Sequence, residues 1–170
     1  DLDRDGDYDI AAALTTGGLI VFYENQGKHA GSARWVRREI GSHAGVHEVE
    51  LIDMDGDENL DILVSATGDN TISYYRNQYY DGLESQDDLF PVDTIDIEVT
   101  ISSVTLGARG VFAADLNNDG LMDVISASKT DDAISWYRNE GDSTSYEKID
   151  IYTNAKNARE VKACDVDGDS

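Results

Sequence analysis

The sequence predicts an all-β protein assembled from tandem copies of one four-stranded antiparallel unit. Three observations predict it. An aspartate-rich stretch of nine residues recurs along the chain, the same pair of apolar runs follows every complete copy, and a further β-type run precedes the later copies.

The aspartate-rich copies are Asp1-Leu-Asp-Arg-Asp-Gly-Asp-Tyr-Asp9, Asp53-Met-Asp-Gly-Asp-Glu-Asn-Leu-Asp61 and Asp115-Leu-Asn-Asn-Asp-Gly-Leu-Met-Asp123, with a cut-off fourth beginning at Asp165. Their starts lie 52, 62 and 50 residues apart. Spacing of that size marks propellers and arrays rather than one irregular domain. The runs that follow, IAAALTTGGLIVFYEN, ILVSATGDNTISYYRN and VISASKTDDAISWYRN, each read as two strands joined by a tight turn and closing on asparagine. The runs that precede, VHEVELI, ARGVFAA and AREVKAC, read as a third strand and place His47, Arg109 or Arg159 six positions ahead of the first aspartate. A weaker fourth strand is expected at Trp35 to Ile40, Phe90 to Ile97 and Tyr146 to Ile151, where β-branched and aromatic residues suit a pleated surface.

Twelve strands are thus expected, grouped as β-propeller blades of four antiparallel strands. The units run at about 1–45, 46–107 and 108–157, with the start of a further unit at 158–170. Propellers close with roughly four to eight blades, so three blades are expected to be part of a larger ring. The chain opens on a motif residue and stops inside another copy, which reads as a portion of a longer protein. The longer middle unit carries its additional residues in YYDGLESQDDL, from Tyr79 to Leu89, which reads as an extended surface loop.

Thirty-five acidic residues against 13 basic ones give a formal charge of -22. Nucleic acid and anionic membrane surfaces are poor partners for such a chain, and cations are good ones. Nine tyrosines, two tryptophans and many Ile and Val argue for a folded chain despite the acidity. No apolar run approaches the ~18 residues of a helical membrane span. Cys164 is the only cysteine, so an internal disulfide is excluded and a buried, inert thiol is expected.

Positions 1, 3, 5 and 9 of each stretch are carboxylates or an amide: Asp1, Asp3, Asp5 and Asp9; Asp53, Asp55, Asp57 and Asp61; Asp115, Asn117, Asp119 and Asp123. Short oxygen-bearing side chains at alternating positions, with a glycine to turn the chain, suit a hard cation that takes ~6 to 8 oxygens. Magnesium demands a tighter octahedron and keeps its waters, so calcium fits better, about one Ca2+ per intact loop. Without a cation these like charges would oppose folding. The second copy carries Gly56 at position 4 and Glu58 at position 6, where glycine stands in the other two, and is expected to bind more weakly. The fourth copy offers Asp165, Asp167 and Asp169 without a ninth position. An EF-hand needs a bidentate Glu at position 12, but Ala12, Val64 and Ser126 stand there and the flanks are β-type.

The stretch from Gly110 to Gly141, GVFAADLNNDGLMDVISASKTDDAISWYRNEG, resembles an FG-GAP/VCBS repeat, and the resemblance extends over essentially the whole chain. Such repeats occur in integrin α-subunit propellers, in some lectins and lyases, and in many secreted proteins. The resemblance implies a seven-bladed calcium-binding propeller. It also implies a backbone carbonyl at position 7, from Asp7, Asn59 or Leu121, in each ligand set. Literal Phe-Gly and Gly-Ala-Pro sequences are missing, so the chain looks closer to the VCBS branch than to integrins.

Paired aromatics at Phe22, Tyr23, Tyr74, Tyr75, Trp136 and Tyr137 recur at one place in the repeat, which favours packing between units over sugar stacking. His43, His47 and Glu48 have zinc-like spacing, but GVHEVELI alternates as a strand and breaks that geometry. No nucleophile or phosphate-loop motif is present, so no enzymatic activity is expected. The sequence reading is a structural or adhesive module, contacting protein or glycan, in a secreted or cell-surface protein. The alternative is a lectin or the scaffold of a polysaccharide-active enzyme. Other chains or further blades are expected to complete the ring.

Overall fold

The computed structural model describes residues 1–29, 32–78, 97–142 and 144–167, with the backbone alone considered at 28, 29, 32 and 33. Among the described residues there are eleven strands and no helix. The first sheet joins β1 (Ile10–Leu14), β2 (Leu19–His29) and β3 (Ser32–Ser42) in that order. The second runs β4 (Val46–Ile52), β5 (Asp61–Ala66), β6 (Thr71–Arg76) and β7 (Ile97–Ser102). The third repeats that order with β8 (Ala108–Ala114), β9 (Asp123–Ser128), β10 (Ala133–Asn139) and β11 (Tyr146–Tyr152). Every neighbouring pair is antiparallel.

Local chemistry explains the hairpins. All residues of β5 and β9 are buried, as befits strands covered on both faces, and both are apolar apart from their opening aspartate and interior serines. The turn that follows puts Gly18, Asn70 and Asp132 at the same place in three units, with φ of 68°, 60° and 50°. Gly, Asn and Asp are the residues that tolerate this left-handed conformation best.

The paired aromatics explain how sheets stack. Successive strand residues point to opposite faces. Tyr75 accordingly enters a core shared with the first sheet, beside Ile20, Val46, Ile62 and Val64. Tyr74 enters the core shared with the third sheet, where Leu63, Ile72, Val111, Val124 and Tyr137 join it. Phe22, Tyr74, Tyr75 and Tyr137 are all buried, so the recurrence serves packing.

Four expectations are corrected. The fourth strand of the middle unit is β7 at Ile97–Ser102, beyond the Phe90–Ile97 stretch expected from composition. Alternation decides it: Val99 and Ile101 are buried while Ile97, Glu98 and Thr100 are exposed. Residues 90–96, and the Tyr79–Leu89 loop, lie outside the described residues. The AREVKAC run forms no strand: among the described residues no strand pairs with it, whereas β4 and β8 each pair with the strand that follows their loop. Among the described residues eleven strands therefore stand where twelve were expected. Cys164, in that unpaired run, is exposed rather than buried, since no sheet covers it.

Candidate metal centre

Each aspartate-rich stretch is a loop that enters the second strand of its unit. Side-chain oxygens at positions 1, 3 and 5 fold the loop by accepting backbone N–H groups further along it. At position 5, Asp5, Asp57 and Asp119 accept from Asp7, Asn59 and Leu121 at 2.8, 2.8 and 2.9 Å. At position 3, Asp3, Asp55 and Asn117 accept from the residue two further on at 3.1, 3.3 and 3.1 Å. At position 1, Asp1, Asp53 and Asp115 accept from position 6 at 3.2, 2.9 and 2.8 Å.

Position 9 anchors the loop to the sheet. One oxygen of Asp9, Asp61 or Asp123 accepts the N–H of Leu2, Met54 or Leu116 at 2.8, 2.9 and 3.3 Å. The other accepts the N–H of Asn25, Asn77 or Asn139, at 2.9, 2.8 and 2.8 Å. Each of those asparagines donates its side-chain amide to the carbonyl at position 8 of the loop, at 3.2 Å in all three units. Sequence reasoning noted that every hairpin closes on asparagine but gave it no role. Its recurrence beside a recurring aspartate was the available signal.

Two of the loops bring three carboxylates together. One oxygen from each of Asp1, Asp3 and Asp9 lies within 4.8 Å of the others, and so do oxygens of Asp53, Asp55 and Asp61. Burial raises the Asp61 carboxyl to about 7, partly offset by its two backbone donors, with Asp55 and Asp57 adding repulsion. Burial likewise raises Asp3 to about 6, with Asp9, Asp5 and Glu24 contributing repulsion. Loops of this kind, with crowded, desolvated carboxylates and short oxygen donors, can hold a metal ion. The third loop shares the fold but carries Asn117 at position 3, so it offers fewer charges. Asp165 and Asp167 sit exposed on a turn, and Asp169 lies outside the described residues.

The second loop does not break the pattern. Position 4 is left-handed in all three loops, at Arg4, Gly56 and Asn118, with φ of 58°, 79° and 59°. Position 6 is left-handed as well, at Gly6, Glu58 and Gly120, with φ of 93°, 68° and 87°. The backbone is therefore the same wherever the glycine falls. Moving it has a side-chain consequence: Arg4 reaches across to the Glu58 carbonyl of the next loop. Gly56, at the equivalent place, has nothing to reach with. A cleft of about 270 Å³ opens there, lined by Met54, Asp55, Gly120, Leu121 and Asn139 among others.

Three overlapping stretches, 1–64, 53–126 and 115–170, match the FG-GAP-like repeat family. The chain belongs to the FG-GAP-like repeat family. The overlap begins each match on the first aspartate of a loop, so the repeat boundary coincides with the start of the candidate site. No curated protein and no solved structure matches the chain. Within this FG-GAP-like array the histidines are separately engaged: His43 contacts Asp69, Glu98 and Tyr75 at 3.2, 3.0 and 3.2 Å, while His47 sits in β4. The described residues hold no helix of membrane-spanning length and apolarity.

Proposed function

We propose that the chain is a calcium-stabilised segment of a β-propeller, acting as a structural or adhesive module of a secreted or cell-surface protein. The observation that carries the reading is the convergence of Asp53, Asp55 and Asp61, with Asp61 fully buried, repeated by Asp1, Asp3 and Asp9. Burying several carboxylates together is costly unless cations neutralise them, and Arg76, which pairs with Asp55, offsets only part of that charge. The sheets support the blade reading by stacking face to face through alternate aromatics. Calcium suits the extracellular setting, where such loops fill at roughly 10⁻⁴ to 10⁻³ M.

Residues at positions 1, 3, 5 and 9 would supply side-chain oxygens to the ion, and position 7 a carbonyl. The ion would supply charge neutralisation, and the loop would then lock position 9 against the Asn at the hairpin end. Thermal unfolding in calcium, in magnesium and in chelator, with a count of bound calcium, tests this. A calcium-selective rise in stability with an ion at the first two loops supports the proposal. Equal midpoints in all three conditions and no bound ion refute it.

A further inference from the structure

His47 and Arg109 share an unusual backbone position. The register of β4 against β5 slips between Val46 and Glu48, and that of β8 against β9 slips between Ala108 and Gly110. His47 and Arg109 are the extra residues at these two bulges. A bulge re-aims a side chain away from its own sheet. β4 and β8 pack side by side, and the Arg159 carbonyl lies 2.7 Å from where a Cβ on Gly110 would stand, so Arg159 rests against the same edge. Burial and the charges of Arg109 and Arg159 hold the His47 imidazole toward its neutral form, opposed by Glu48 and by a hydrogen bond to the Arg109 backbone.

Two carboxylates of β4 stand near, Glu48 and Glu50, and one Glu50 oxygen is buried with no hydrogen-bond partner. Glu48 accepts the Val111 N–H at 2.9 Å, and Glu50 faces Lys162 at 3.7 Å. Arg37, Arg38, Arg76 and Arg138 each hold a carboxylate, whereas among the described residues Arg109 and Arg159 hold none, as is also true of Arg4 and Arg34, which lie outside this edge. In a chain with 35 acidic side chains, two guanidinium groups that pair with no carboxylate, beside an imidazole, form a local concentration of positive charge, with Glu48 and Glu160 near it. We propose that His47, Arg109 and Arg159 form a binding site for a small oxyanion at the inner edges of the second and third units. Guanidinium forks match the oxygens of sulfate or phosphate, and the ring of His47 adds a donor once protonated.

The test is calorimetric titration of the calcium-loaded protein with inorganic sulfate, against sodium chloride of equal ionic strength. The expected result is saturable uptake of one sulfate per molecule, weakened at least ten-fold in Arg109→Gln and in Arg159→Gln. Binding should tighten at least three-fold from pH 8 to pH 6, since the anion favours the imidazolium, and His47→Gln should abolish that dependence. Arg159 is exposed, so its variant decides the matter even if Arg109→Gln folds poorly. No saturable uptake, or uptake unchanged by Arg159→Gln, overturns the site.

Discussion

Asn77 shows how much one side chain does in this fold. Its amide donates to the Leu2 carbonyl of the preceding unit at 2.8 Å and to Leu60 at 3.2 Å, while its N–H reaches Asp61. Asn77→Ala should cost about 2 kcal/mol in urea unfolding, because two buried carbonyls lose their donor. Glu58 holds φ of 68° without being glycine. Glu58→Gly should therefore raise stability, by at most about 1 kcal/mol, since relief of left-handed strain is offset by a floppier unfolded chain. Gly56→Ala should have the opposite sign and cost about 1 kcal/mol, purely from its φ of 79°, because no atom lies within 4 Å of the new methyl. The carboxylate positions were legible from spacing alone. The exchange of glycine between positions 4 and 6 was legible too, but not that both positions keep the same left-handed backbone, since the dihedral at each position appears only in the folded loop.

Strands and their junctions are the next scale. β10 alternates in burial with Ser135 and Asn139 on the buried face and Ile134 and Trp136 only partly buried, which its residue types do not show, while β11 falls within a residue of where composition places it. β7 overlaps the stretch expected at Phe90–Ile97 only at Ile97, pairing with β6 from Arg76↔Ile97 to Ile72↔Ser102, and residues 90–96 lie outside the described residues. Where one unit passes to the next, the chain before β4 presses on the β5–β6 turn. A Cβ on Gly45 would stand 2.8 Å from the Gly68 nitrogen, and one on Gly68 would stand 2.6 Å from the Ala44 carbonyl. Gly45→Ala should consequently cost more than Gly56→Ala, about 3 kcal/mol or above, because strain at φ of 65° is added to a backbone clash. Comparing the two unfolding midpoints separates contact from dihedral strain.

At the scale of the whole molecule, two buried carboxylates link stability to pH. Asp3 and Asp61 have folded-state values of about 6 and about 7, above the ordinary 3.8, so the metal-free folded chain holds protons that the unfolded chain has released. Stability in chelator should therefore fall as pH rises from about 4 through 7, the reverse of the usual carboxylate trend. Calcium at 100 times its dissociation constant should restore about 2.7 kcal/mol per site and flatten that pH profile. Parallel melts at pH 5 and pH 7.5, with and without calcium, check both signs. The sequence by itself determined the repeat, the hairpins and the carboxylates at alternating positions, because these depend on local spacing and on the two-residue period of a strand. Tertiary structure alone decided which aromatic enters which core, that position 9 ties each loop to an asparagine sixteen residues on, and that His47 and Arg109 sit on bulges facing one another's edge. Those features depend on contacts between distant segments, which a pattern read along one strand does not contain.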